Sequence, residues 1–191
     1  VFNPLVRQKD GRAPANTAII VNDKGEIVHE YVKMNPWIPG EPTYPGSKCP
    51  VVPGPKGSKL ATIICFDGDF PEAWREAASN GANVIIRVSH YMGPIEFGWR
   101  LGNLAGAYFN RCYVVACNSI GIDEVYTYCG MSMVVDPEGK VITEAPIALP
   151  WLFKAELYPQ LVDQIRSKYV TSNLLYSYKH RGASCTDFGG V

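Results

Sequence analysis

The chain has 191 residues, of which 47% are hydrophobic and 19% charged, and 18 basic and 18 acidic side chains give a formal net charge of +0. This is ordinary globular composition, long enough for a sizeable core, and the balanced charge argues against nucleic acid or a membrane surface as partner. No apolar run approaches the ~20 residues of a membrane span, and Val1-Phe2-Asn3-Pro4 lacks the basic, apolar, small order of a signal peptide.

Val1-Phe2 reads as the inside of a strand, without cap or turn. This predicts that an N-terminal part of the domain precedes the chain. Residues 16–21 and 26–32 read as strands joined by the Asn22-Asp23-Lys24-Gly25 turn, a hairpin. Residues 34–58 form a long loop punctuated by seven prolines, of the kind that is functional or disordered. Trp37 and Tyr44 within it favour an ordered, functional loop. Residues 59–65 are a buried strand with β-branched Thr62, Ile63 and Ile64. Pro71 opens a helix over 71–80, with Asp67 and Asp69 as its expected caps and Gly81 as its stop. Residues 83–88 give a further buried strand, so the unit is a βαβ crossover with a parallel pair.

Residues 97–110 read as a second helix, weakened by glycines, and 112–117 as a third buried strand. Residues 131–135 and 140–144 flank the Asp136-Pro137-Glu138-Gly139 turn as a hairpin. A strand over 151–157 and a short helix over 159–167 follow, then a tail without clear period. The sum is an α/β fold, with a mixed sheet or two sheets covered by helices. The domain is expected to span 1–168, with 169–191 as a C-terminal tail.

The six cysteines, Cys49, Cys65, Cys112, Cys117, Cys129 and Cys185, form no Cys-x-x-Cys pair, and only three histidines accompany them. Zinc spacing is absent, so no metal and no cofactor is expected. Cys65, Cys112 and Cys117 read as reduced, partly buried thiols, which points to a reducing compartment, the cytoplasm. Cys112, Cys117 and Cys129 read as packing residues. His29, His90 and His180 read as structural or solvated. Arg87, inside an apolar strand, should be paired with a carboxylate.

Cys65 is the sharpest chemical feature. It ends a buried strand six residues ahead of a helix opening, where a thiol can face a cleft from a rigid base. By position alone, a core cysteine is the commoner case. Lys33 alone reads as a solvated strand-end charge, and Glu41 alone as loop surface. Gly-x-Ser-x-Gly, P-loop, His-Glu-x-x-His and Gly-x-Gly-x-x-Gly motifs are all absent.

Taken together these residues carry a resemblance. The run Val32-Lys33-Met34-Asn35-Pro36-Trp37-Ile38-Pro39-Gly40-Glu41-Pro42 resembles the catalytic-lysine loop of the aliphatic amidases and formamidases, a branch of the nitrilase superfamily. The run Ile63-Ile64-Cys65-Phe66-Asp67-Gly68-Asp69-Phe70-Pro71-Glu72 is similar to that branch's nucleophile segment. Arg87, Tyr91-Met92-Gly93-Pro94, Asn110-Arg111-Cys112 and His180-Arg181-Gly182 continue the match to the end of the chain.

The resemblance implies a nitrilase-like α-β-β-α sandwich, N-terminally incomplete, that hydrolyses small aliphatic amides of the formamide or acetamide type. Cys65 would be the nucleophile, forming a thioester. Lys33 and the backbone N–H of Phe66 would stabilise the oxyanion, Glu41 would support the hydrogen bonding, and Trp37 and Tyr91 would wall the substrate pocket. Homo-oligomers are implied too. The family's general base is a glutamate in an earlier segment that no position here matches. Phe66-Asp67 departs from the Trp-Glu of true nitrilases, which argues against nitriles, and Phe66 also departs from the acidic residue common there in the amidase branch. Two alternatives stand beside the amidase: a catalytically silent fragment or scaffold of the same fold, and a superfamily enzyme for another substrate, a nitrile or carbamoyl amide.

Overall fold

A computed structural model describes residues 1–38 and 40–168, the last without its side chain. The predicted tail, with Cys185 and His180-Arg181-Gly182, lies outside the described residues.

Three strands form a small antiparallel sheet: β1 (Leu5–Val6), β2 (Ala15–Val21) and β3 (Ile27–Val32), in that order. The turn predicted at Asn22-Asp23-Lys24-Gly25 is made by Asn22, whose Oδ1 accepts from the N–H groups of Lys24 and Glu26 at 2.9 Å each. The opening residues differ in detail from the expected strand. Phe2 makes a single bridge to Ile19, and regular pairing starts at Leu5 opposite Asn16.

The second sheet has six strands. It comprises β4 (Val52–Pro53), β5 (Lys59–Ile64), β6 (Val84–Ser89) and β7 (Tyr113–Asn118), then, after the separate ribbon β8 (Ile120–Ile122) and β9 (Thr127–Cys129), β10 (Met133–Val135) and β11 (Val141–Glu144). Its order is β11-β10-β7-β6-β5-β4. The β5, β6 and β7 strands are parallel and central, largely buried on both faces, and read as near-continuous apolar runs for that reason. The antiparallel β10 and β4 flank them.

The predicted crossover helix is α1 (Pro71–Ser79), between β5 and β6. It buries Ala73, Trp74, Ala77 and Ala78, and Gly81 follows it at a φ of +102°. The second helix is α2 (Glu96–Asn110), between β6 and β7. Its glycines leave room for neighbours: a Cβ at Gly106 would come within 2.6 Å of the Trp74 ring, and one at Gly98 within 2.9 Å of the Tyr91 hydroxyl. The two helices cover one face of the large sheet, burying Ile63, Ile85, Val114, Met133 and Val135 at 0% exposure. On the opposite face, β3 approaches β5, with His29 Nε2 and Thr62 Oγ1 hydrogen-bonded at 2.8 Å. Val162 of α3 (Pro159–Lys168) packs there too, on Val84 and Tyr113. The layers are helix, sheet and sheet, with the parallel strands' carboxyl ends facing the β3 exit.

Two expectations are corrected. Among the described residues, 151–157 pair with no strand: Trp151 and Leu152 are 62% and 96% exposed, and Leu157 packs against the core. The proline-rich loop is partly regular, contributing β4 and a short helical turn at Pro55–Gly57. No helix among the described residues is long and apolar enough to cross a membrane.

Candidate active site

The β5 strand ends at Ile64, and the chain turns at once into a tight helical turn over Cys65–Asp69. Cys65 has a φ of +47°, in the left-handed region that a residue with a side chain seldom occupies. The half-buried thiol therefore sits on a sharp corner at the carboxyl end of a central parallel strand. Two groups hold the corner. The Cys65 carbonyl accepts from Arg87 Nε at 3.0 Å and Nη2 at 2.6 Å. Asp67, fully buried, accepts from the Ile64 N–H at 3.1 Å, the Tyr31 hydroxyl at 2.7 Å, and the Asn35 N–H and side-chain amide at 2.8 and 3.0 Å. Burial pushes the Asp67 pKa up, and these donors work in the opposite direction.

Lys33 follows β3 directly, its N–H bonded to the Asn16 carbonyl at 2.8 Å. Its side chain is 2% exposed and its ammonium is ion-paired to Glu41 Oε2. Glu41 Oε2 also accepts from the Trp37 N–H at 2.9 Å, and Oε1 accepts from the Asn16 side-chain amide. Burial works to raise the Glu41 pKa, but the hydrogen bonds from Lys33, Trp37 and Asn16 and the Lys33 charge outweigh it, so the carboxyl lies below its ordinary range. The lysine segment meets the cysteine corner twice, through Asn35 on Asp67 and through the Trp37 ring, edge-on to Phe66 with centroids 4.8 Å apart.

A second buried cluster stands behind the corner. Arg87, at 0% exposure on β6, pairs with Asp69 Oδ1 at 3.2 Å and donates to Asn103 Oδ1 on α2 at 3.2 Å. The Tyr91 hydroxyl donates to Asp69 at 3.2 Å, and burial followed by the Asp69 charge pushes its pKa up to about 12. Tyr91 is buried at 4% exposure, so what it offers a pocket is an edge fixed by this cluster.

The profile of the family described as carbon-nitrogen hydrolase matches residues 2–166. The chain belongs to the carbon-nitrogen hydrolase family. This carbon-nitrogen hydrolase is 42% identical over 193 aligned residues to the formamidase of Bacillus thuringiensis (strain Al Hakam), an alignment covering 100% of the chain and 58% of the relative. The chain thus spans well under two thirds of the length of the curated relatives it matches. Among solved structures it resembles Saccharomyces cerevisiae Nit3, a member of the nitrilase superfamily, with a TM-score of 0.74, 28% identity, and coverage of 86% of this chain and 60% of Nit3. It also resembles the amidase from Nesterenkonia sp. AN1, with a TM-score of 0.67, 27% identity, and coverage of 70% and 52%. One structure of that amidase carries the acetamide moiety of fluoroacetamide on its active-site cysteine. The nitrilase-like sandwich implied by the sequence is the observed fold class.

In this carbon-nitrogen hydrolase the residues read from the sequence fall into one neighbourhood, with corrections. Lys33 is not a solvated strand end but a buried, paired cation. Asp67 and Asp69 do not cap α1, whose N-cap residue is Phe70 with no side-chain cap bond; they bind Tyr31, Asn35, Arg87 and Tyr91 instead. Arg87 has its expected carboxylate, Asp69. Cys112 and Cys129 are buried as expected, but Cys117 is exposed. Asn16, Asn35 and Asn103 were not singled out in the sequence, since an asparagine carries no signal there that distinguishes a site from a turn.

Proposed function

We propose that the protein containing this chain hydrolyses small aliphatic amides, of the formamide or acetamide type, to carboxylate and ammonia. The Cys65 sulfur attacks the amide carbonyl carbon, and the carbonyl electrons move onto oxygen. The Lys33 ammonium and the Phe66 N–H stabilise that oxyanion. The carbon–nitrogen bond then breaks, and the proton that left the thiol departs with the nitrogen as ammonia. A water molecule adds to the thioester, its hydroxyl going to the acyl carbon and its proton returning the sulfur to a thiol. Glu41 orients Lys33, because both of its carboxylate oxygens are already engaged by Lys33, Trp37 and Asn16. Trp37 and Tyr91 border the substrate. The resemblance gives the proton shuttle to a glutamate that no position of these 191 residues matches.

The observation that carries the reading is the buried Lys33–Glu41 pair, tied through Asn35 and Asp67 to the corner bearing Cys65. The formamidase relatives and the cysteine adduct of the Nesterenkonia amidase support it. The proposal includes a cytoplasmic setting, where Cys49, Cys65, Cys112, Cys117 and Cys129, all free, stay reduced. It also includes a homo-oligomer, for which Phe97, Leu101 and Phe109 on the outer side of α2 offer exposed apolar surface. The test is ammonia release from formamide, acetamide and propionamide by the native protein, including any sequence its gene encodes ahead of Val1. Wild type should release ammonia and Cys65→Ala should not; activity in Cys65→Ala rejects the reading. The 191 residues alone should be nearly inactive, since removing one member of a cooperating catalytic set costs almost as much as removing several. Full activity from them would place the proton shuttle inside the chain.

A further inference from the structure

The peptide between Cys65 and Phe66 is gripped at its carbonyl. Arg87 donates to its carbonyl from Nε at 3.0 Å and from Nη2 at 2.6 Å, whereas its bonds to Asp69 and Asn103 are 3.2 Å each. The shortest bond of this arginine thus goes to the nucleophile's own carbonyl rather than to its ion-pair partner. The guanidinium is boxed in. It lies 4.6 Å from the Trp99 ring centroid and 5.2 Å from that of Tyr91, and a Cβ at Gly68 would stand 2.1 Å from its Cζ. Only glycine lets the turn pass so close to it.

That grip has a consequence on the other side of the peptide. The bond is trans, so its C=O and N–H point in opposite directions in one plane. Fixing the carbonyl against Arg87 fixes the direction of the Phe66 N–H. A cation bonded to the carbonyl also draws electron density out of the amide, which strengthens the N–H as a donor. The left-handed backbone at Cys65 adds a reason for the grip: a strained corner persists only where its surroundings hold it.

We propose that Arg87 is a positioning residue that aims and polarises the Cys65–Phe66 peptide, so that the Phe66 N–H meets the oxyanion formed when Cys65 attacks an amide. This rests on the amidase reading above. Arg87 touches no substrate; it acts through the peptide. Its partners Asn103 and Asp69 hold the guanidinium in register, and Gly68 and Gly102 leave the space it fills.

The test compares two reactions of the same thiol in the native protein. Amide hydrolysis builds an oxyanion, whereas alkylation of Cys65 by iodoacetamide does not. Arg87→Lys keeps the charge but offers a point donor in place of a fork. It should lower kcat for acetamide on the order of 10²-fold, leave KM unchanged, and leave the rate and pH profile of Cys65 alkylation unchanged. Retained kcat overturns the proposal. So does a matching fall in hydrolysis and alkylation, which is the signature of a collapsed site. If Arg87→Lys does not fold, Asn103→Leu, close in shape and without the amide whose Oδ1 accepts from Arg87 Nη1, should lower kcat by about tenfold with alkylation unchanged, one hydrogen bond's worth; unchanged kcat there overturns the proposal equally. A wild type that is alkylated at Cys65 yet releases no ammonia removes the amidase reading and this inference with it. An active wild type beside an equally active Arg87→Lys removes only the inference.

Discussion

Asp67 accepts both the backbone N–H and the side-chain amide of Asn35, at 2.8 and 3.0 Å, on a single carboxylate oxygen. Its other oxygen takes the Tyr31 hydroxyl and the Ile64 N–H. One buried side chain therefore joins β3, the lysine segment and the end of β5. Asp67→Ala should leave these donors without partners in a dry interior. An orphaned buried group costs about 1–3 kcal/mol, so a loss of about 3–5 kcal/mol is expected in urea unfolding, with the lysine segment freed and turnover lost. A variant that unfolds at the wild-type urea midpoint would show that the tie carries no load.

The α2 glycines make a prediction that runs against helix propensity. In an exposed helix, Gly→Ala gains about 1 kcal/mol. At Gly106 the new methyl would stand 2.6 Å from the Trp74 ring, which is pinned by its own bond to the Gly68 carbonyl at 2.9 Å. Overpacking a filled core costs about 1–3 kcal/mol, so Gly106→Ala should lower the melting temperature. Gly102→Ala, whose methyl would meet the Gly68 carbonyl at 3.1 Å, should have a smaller effect. A raised melting temperature in Gly106→Ala contradicts the packing described.

These elements also show what the sequence could and could not reveal. The β5–α1–β6 unit was legible because every signal agreed: a β-branched apolar run, Pro71 at the first helical position, alanines on one face and Gly81 at the stop. The resemblance singled out Cys65, Lys33 and Glu41 because the motifs that carry it are local in the chain. The environment of Lys33 was not legible. A lysine at a strand end is usually solvated, and the loop that folds back to bury it is fixed by tertiary bonds from Asn16 and Trp37 to Glu41. Asp67 and Asp69 looked like helix caps because a cap is the local use of an aspartate. Apart from the nearby Ile64 N–H, their partners lie 18 to 36 positions away in the chain. Residues 151–157 alternate like a strand, yet alternation does not supply a partner strand. The β8–β9 ribbon was missed for the converse reason: Ile120, Gly121 and Ile122 of β8 are all exposed, so no buried face marks that strand.

Thiol labelling should divide the cysteines by environment. Burial pushes the Cys49 thiol up to about 12 and the Cys112 thiol up to about 11, and raises Cys129 as well. These three should stay unlabelled by iodoacetamide at neutral pH while the fold is intact, because the thiolate is the reactive form. Cys65 should react, and exposed Cys117 should react too. A small amide substrate should protect Cys65 and leave Cys117 unaffected. Peptide mass mapping reads both outcomes, and protection at Cys117 in place of Cys65 would reject Cys65 as the substrate-facing thiol.

The Lys33–Glu41 pair should appear in the acid limb of stability. The Glu41 pKa is lowered from 4.5 in the folded chain, so folding favours its charged form. The stability this contributes is present above pH 4.5, the unfolded value, and is lost as pH falls through the lower folded value. Glu41→Gln cannot titrate. The stability difference between wild type and Glu41→Gln should therefore be flat above pH 4.5 and shrink steadily below it, other carboxylates cancelling in the subtraction. Lys33→Met tests the other partner. Breaking a fully buried pair costs about 3–5 kcal/mol, but Glu41 is 17% exposed and keeps Asn16 and the Trp37 N–H. A loss of about 1–3 kcal/mol is expected instead, with turnover down on the order of 10²-fold or more. Denaturant midpoints at several pH values measure the first effect and ammonia release the second. A wild-type advantage that grows in acid would show that Glu41 is held protonated, and the ion pair would then have no place in the site.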